Sequence, residues 1–424
     1  MWVKSMQQVN DREHINRKTT AFLCLLYIWP LVFALLNYYF VRAISGTVLC
    51  VVYYACLFMT YYCYGDFRIV ASHDMAFLMI FLFIYGVISL ASGEYVLIYN
   101  YVFLLPIVLL SRKSIDIDEK HFRHFFIAIA LFSFFITMVL TLKTLVQYPG
   151  ASRVLASNSF AQYGLEKYRR MGTGGFDFIY STVIILPVNF VAILKLQKGF
   201  RMMAVIFFAV AVMAILFSGY TTAILLLVLI PILFLCTANK RNIFIVVVMI
   251  PLAIWAFREY RVDIADQTYE LAGKFGSKAV EGHLIELADI LAQKSSVDDL
   301  ERVNIYYKSV TAFFTSPLFG TYAIAGSSQV SGHSTLLDIL GGGGLLCFVP
   351  YIAFLSAFYL HVKKMLHDRW TIAGWNITTV LYVLLQCVNP IFANYLIMFT
   401  YMAIAVVILK SLDKVGGVSN KPSA

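Results

Sequence analysis

The chain has 424 residues, of which 61% are hydrophobic and only 13% charged, with a formal net charge of +10. Soluble globular domains hold closer to a quarter charged residues, so composition alone excludes that class. A charge of this sign would also suit nucleic acid, but its placement along the chain argues for topology and against nucleic-acid binding.

Residues 1–20 are polar and carry Lys4, Arg12, Arg17 and Lys18. Apolar runs follow at about 21–41, 44–64, 75–91, 95–110, 125–146, 178–194, 202–217, 220–236, 242–257, 335–360, 372–389 and 393–409. Most approach or exceed the roughly 18 residues that cross a hydrocarbon core as helix. They are continuous rather than alternating, which favours helices over a closed barrel. The first run is full length and follows a polar stretch, so it predicts a span rather than a cleavable signal peptide. The stretch around Ser218-Gly219-Tyr220 is too long for one crossing and predicts two. The sum is an all-α polytopic membrane protein, 1–424 forming a single integral membrane domain of about twelve transmembrane helices.

Counting Lys and Arg sets the orientation. With the N-terminus inside, the inner segments hold Arg68; Arg112, Lys113, Lys120 and Arg123; Lys195, Lys198 and Arg201; Lys240 and Arg241; Lys363, Lys364 and Arg369; and Lys410, Lys414 and Lys421. With the N-terminal four these make 20 of the 33 basic residues, whereas the short outer turns hold only Arg42. Both termini are therefore expected in the cytoplasm.

Two long outer loops remain, at 147–177 and 258–334. Loops of this length are functional or disordered more often than not. The second carries apolar residues at helical spacing, first Ile285, Leu287, Ala288 and Leu291, then Val303, Tyr306, Val310, Phe313 and Phe314. This predicts short amphipathic helices on the outer face. The loop reads as one that re-enters the membrane where it meets the span beginning near Thr335.

The chemistry-bearing residues collect in these loops. Arg153, Arg169 and Arg170 stand outside against the charge rule, near Gly172, Gly174 and Gly175. Guanidinium forks bind phosphate bidentately, and glycines let backbone N–H groups approach an anion. Arg302 is expected to open a helix with Tyr306 one turn on, a pair suited to gripping a phosphate and stacking on a sugar. Ser316-Pro317 should end that helix. His333 precedes a span whose N-cap is Ser334 or Thr335, and a histidine there can take a proton near neutral pH. Asp338 lies five residues on inside the apolar run, either as a ligand or in a buried hydrogen bond between helices. Gly341–Gly344 lets another helix approach closely or leaves room for a lipid tail. The seven cysteines lie in or beside apolar runs, so neither loop holds a disulfide, and no metal-ligand pattern or cofactor motif is present.

Arg302, the turn Ser316-Pro317-Leu318-Phe319-Gly320 and His333 leading into a glycine-rich span, on a chain of about twelve spans, resemble the O-antigen polymerase and O-antigen ligase superfamily of bacterial envelope polysaccharide enzymes. Two departures stand out. Ser334 follows the histidine where Asn is common, and the outer turn Ser218-Gly219-Tyr220-Thr221 lacks the Arg of a ligase-type turn. The resemblance implies a glycosyltransferase of the inner membrane with a periplasmic active site, needing no cofactor or metal. Its substrate would be an undecaprenyl-pyrophosphate-linked oligosaccharide, and its partners membrane lipid and the chain-length regulator and flippase of the same pathway. His333 and Arg302 would be catalytic; Arg153, Arg169, Arg170, Tyr306 and Asp338 would bind substrate. Polymerase is favoured over ligase by the missing turn Arg, and a glycolipid flippase is the alternative from another class.

Overall fold

A computed structural model describes residues 19–28, 46–64, 72–93, 95–148, 151–156, 162–238, short pieces between 262 and 292, then 296–325, 329–392 and 394–417. The expected span at 242–257, most of that at 21–41 and most of the amphipathic stretch at 285–291 lie outside the described residues.

Among the described residues the architecture is helical, with no strand. The helices are α1 (Thr19–Ile28), α2 (Gly46–Tyr64), α3 (His73–Ser92), α4 (Tyr95–Asp116), α5 (Lys120–Gln147), α6 (Ala151–Ala156), α7 (Gln162–Arg170), α8 (Phe176–Lys195), α9 (Lys198–Ser218), α10 (Thr221–Ala238), α11 (Ser296–Thr315), α12 (Tyr322–Ala325), α13 (Thr335–Met365), α14 (Arg369–Val388), α15 (Tyr395–Phe399) and α16 (Ala405–Gly417). A π-helical turn, Thr400–Ile404, joins the last two into one rod. Among the described residues, seven elements are long and apolar enough to cross a membrane: α3, α5, α8, α9, α13, α14 and the rod Tyr395–Lys414.

Burial separates the centre of the bundle from its rim. The apolar windows of α8 and of the C-terminal rod are 78% and 83% buried, against 28% for α9. A helix that is hydrophobic all round belongs inside, and these two are surrounded by their neighbours. The rod is held to α14 by an aromatic stack. Tyr382 lies flat on Tyr401 at 4.0 Å, and Tyr401 lies flat on Trp375 at 5.0 Å. On the rim, Phe83, Phe132 and Phe200 stand exposed. Large exposed apolar faces of this kind suit contact with lipid.

One end of the bundle is a ladder of ion pairs. Arg112 meets Asp74 at 2.9 Å and Asp116 at 2.7 Å, and Lys195 meets Asp368 at 2.9 Å. Asp118 gathers Arg123 at 2.8 Å and Lys414 at 2.7 Å. Asp368 also caps α14, accepting from the amides of Trp370 and Thr371. Of the basic residues that charge counting assigned to one side, Arg112, Arg123, Lys195 and Lys414 thus share one end of the fold.

Candidate functional site

The opposite end carries the loops. Residues 306–325 and 329–334 form a hairpin against the first half of α13. Its descending limb is the second half of α11, which packs along α13. Gly341 faces the Ser309 carbonyl so closely that a Cβ there would stand 2.4 Å from the oxygen. The hairpin turns at 316–320, just past the helix end that the Ser-Pro pair predicted. It returns through α12, whose Tyr322 ring lies against Gly342 and packs edge-on to Tyr85 of α3 at 5.6 Å.

At the turn, α13 is broken. Gly344 sits at φ 60, ψ −167, a conformation open essentially to glycine alone. The break frees backbone groups, and the turn takes them up. Pro317 O accepts from Leu345 N at 2.9 Å and Leu318 O from Leu346 N at 3.1 Å, while Thr321 N donates to Gly341 O at 3.0 Å. Nine residues of helix separate Thr335 from Gly344, about 14 Å at 1.5 Å per residue. Irregular backbone at membrane depth is tolerated only where protein covers it, and here each limb covers the other. Of the two roles expected for the glycine cluster, close approach is the one the fold uses.

Above the break, Asp338 ties three segments together. Its Oδ1 accepts from Ser309 Oγ at 2.7 Å and Ser331 Oγ at 2.6 Å, and its Oδ2 from Ser334 N at 3.2 Å. Ser309 Oγ in turn accepts from Ser331 N at 2.8 Å. Ser334 is the N-cap of α13, accepting from Leu337 N at 3.2 Å and donating to Gln386 O at 3.3 Å. Thr335 Oγ1 donates to Asn389 O and accepts from the amides of Ile391 and Phe392. Asp338 therefore has the interhelical hydrogen-bonding role weighed for it from sequence.

His333 projects from this locked corner. Its ring is exposed, and its amide donates to Ser331 Oγ at 3.1 Å. Tyr306 is half-buried, with its hydroxyl donating to Val388 O at 3.1 Å, so it pins α11 to the end of α14. Arg302 lies inside α11, six residues beyond its start rather than opening it. The Arg302 side chain lies outside the described residues.

The first loop forms a separate group. Arg153 is half-buried on α6; Arg169 and Arg170 end α7, and Arg170 pairs with Glu166 at 2.8 Å. The amides of Gly172 and Gly174 are taken by Arg169 O at 3.0 Å and Thr141 Oγ1 at 2.7 Å, so those two do not face an anion. Ser152 Oγ donates to Gly174 O at 2.7 Å, and Tyr220 OH to Ser152 O at 2.7 Å, which fixes α6 on the starts of α8 and α10. The Asp177–Asn394 hydrogen bond then links α8 to the loop that Thr335 holds, so both groups rest on one platform.

Sequence reasoning missed Ser309 and Ser331, the two hydroxyls that orient Asp338. The signal for Ser309 is a lone small polar residue beside Val310 on the apolar face of α11. It also missed the buried amide of Gln386, whose Oε1 accepts from Tyr351 OH at 2.6 Å and whose Nε2 has no partner among the described residues. Among the described residues no three His, Cys, Asp or Glu side chains converge as a metal site. No protein-family model matches the chain, and no curated protein matches it.

Proposed function

We propose that the protein is a polymerase of lipid-linked oligosaccharide repeat units, acting at the periplasmic face of a bacterial inner membrane. In this reading about twelve spans cross the bilayer and both termini are cytoplasmic. The growing glycan leaves undecaprenyl pyrophosphate and joins the next lipid-linked repeat. A hydroxyl of the acceptor sugar attacks the anomeric carbon of the donor. His333 takes the hydroxyl proton, the new glycosidic bond forms, and the anomeric carbon–oxygen bond to the pyrophosphate breaks. Arg302, with Arg153, Arg169 and Arg170, neutralises the charge that develops on the departing pyrophosphate.

The observation that carries the reading is the hairpin. It presents an exposed His333 from a rigid corner at the end opposite the basic ladder. Positive-inside counting supports that end as the outer one.

One observation favours the flippase alternative. A broken helix and a π-turn are features of transporters, which use interrupted helices to bind substrate near the midplane. The amides freed at Gly344 are, however, already bonded to the 316–320 turn, which argues for a structural break.

Purified protein in liposomes supplied with undecaprenyl-pyrophosphate-linked repeat units tests the proposal. Wild type should build a ladder of chain lengths, and Arg302→Ala and His333→Ala should each abolish it while inserting normally. Ladders of ordinary length from both variants would end the site assignment. Transfer of glycan to a lipid A–core acceptor without chain growth would make the protein a ligase, and translocation alone a flippase.

A further inference from the structure

The outward side of the hairpin holds a groove of about 520 Å³ between α11 and the returning limb. That size lies within the range of about 300–1,000 Å³ typical of small-molecule sites. Its upper part is polar, with Asn304, Tyr307, Lys308 and Gln329 on its walls; its lower part ends at Thr315 and Ile324. The vertical order follows from the packing already described. Ser309 is level with Asp338, and the turn after Thr315 is level with the break at Gly344.

Three features specify an occupant. Lys308 is an exposed cation, and no carboxylate lines the groove among the described residues. An ammonium is a point-charge ligand suited to phosphate. The Tyr307 ring is 68% exposed beside side-chain amides that donate and accept, a combination suited to a sugar with several hydroxyls. Below, Ile324 is 78% exposed, and Phe314, Leu318 and Phe319 stand out around the turn. In the membrane reading they face lipid tails. The groove thus runs from a polar head region into an apolar rim.

We infer that this groove docks the polar head of a lipid-linked glycan, with Lys308 on its phosphate linkage and the lipid tail leaving over Ile324 into the bilayer. The inference rests on the reading that the substrate is a lipid-linked glycan, and it names how that substrate approaches His333: sideways from the membrane, along the outer face of α11. A phosphatidylethanolamine head offers a phosphate but no hydroxyl for the side-chain amides of the upper part.

The test uses the full chain in phosphatidylcholine nanodiscs, titrated with undecaprenyl pyrophosphate carrying one N-acetylglucosamine and read by native mass spectrometry. Loss of one charge-assisted contact predicts that Lys308→Ala weakens binding about tenfold, with Lys308→Arg falling between. Thr315→Trp, which fills the lower groove, should abolish binding while the protein stays monodisperse. Unchanged affinity in both Lys308→Ala and Thr315→Trp overturns the site, as does displacement of the probe by equimolar phosphatidylglycerol. The polymerase reading is judged separately. Wild type that binds through Lys308 yet never elongates sinks the polymerase and keeps the groove. Normal chain growth by both groove variants does the reverse.

Discussion

The Ser309 hydroxyl donates to Asp338 Oδ1 across 2.7 Å, joining the descending limb of the hairpin to the first turn of the helix on which it lies. Ser331 donates to the same oxygen from the returning limb. One carboxylate therefore holds both limbs, and through the Ser331–His333 contact it sets the position of the proposed base.

Removing that carboxylate should loosen the whole corner. Asp338→Ala strands two hydroxyls and the Ser334 amide, and each buried polar group left unsatisfied costs about 1–3 kcal/mol. Asp338→Asn keeps one acceptor and should lose less. Thermal unfolding in detergent gives the order wild type, Asn, Ala in falling midpoint. Equal midpoints for all three would show that the clamp adds no stability.

Gly344 should tolerate no side chain. Its φ of 60 and the Leu318 carbonyl, 2.4 Å from where a Cβ would stand, oppose even alanine. The backbone term alone is about 1–3 kcal/mol, and the turn must also retreat. Gly344→Ala should cut the yield of folded protein sharply. Gly86→Ala, in open space on α3, is the control and should be neutral or stabilising by up to about 1 kcal/mol. Comparable yields of the two variants would refute the backbone packing at the break.

Acid should weaken the basic end of the bundle. The hydrogen bond from Lys414 holds Asp118 below the usual carboxylate range; partial burial opposes it, and the charges of Lys410 and Arg123 add to it. A depressed folded pKa contributes stability that is present above the unfolded value of about 3.9 and is lost as pH falls through the folded value. Because Asp118 is 65% exposed, solvent screening keeps the effect small. Melting curves taken from pH 7 to pH 3 should fall less steeply in Asp118→Asn than in wild type, and parallel slopes would remove Asp118 from the account.

Sidedness is open to chemical labelling. In a cysteine-free background, Gln329→Cys should react with an impermeant maleimide on intact spheroplasts, and Lys414→Cys only after permeabilisation. The opposite pattern would invert the topology and with it the proposed periplasmic placement of the site.

Much of this fold was legible in the sequence, because a run of apolar residues has few places to go. The helices α3, α5, α8, α9, α13 and α14 lie within a few residues of their expected bounds, and the Ser334 cap and the Ser316-Pro317 stop are where local chemistry puts them. The start of α11 at Ser296 was less legible, since Asp298, Asp299 and Glu301 mark a helix N-terminus only weakly once an apolar period is sought downstream. The partner of the glycine cluster was not legible at all. Glycines announce that something comes close, but nothing local says that it is the 316–320 backbone. The same limit hid the company of Asp338, whose ligands Ser309 and Ser331 lie on segments that meet only in three dimensions.

The broken helix also dictates an order of assembly. The 316–320 turn leaves the ribosome before the glycines that will satisfy it, and alone its carbonyls and amides have no place in hydrocarbon. It must wait in water until α13 has been inserted by the translocation machinery, then fold inward against it. In the membrane reading, docking of this hairpin is therefore a step that follows insertion of α13 and is separate from it.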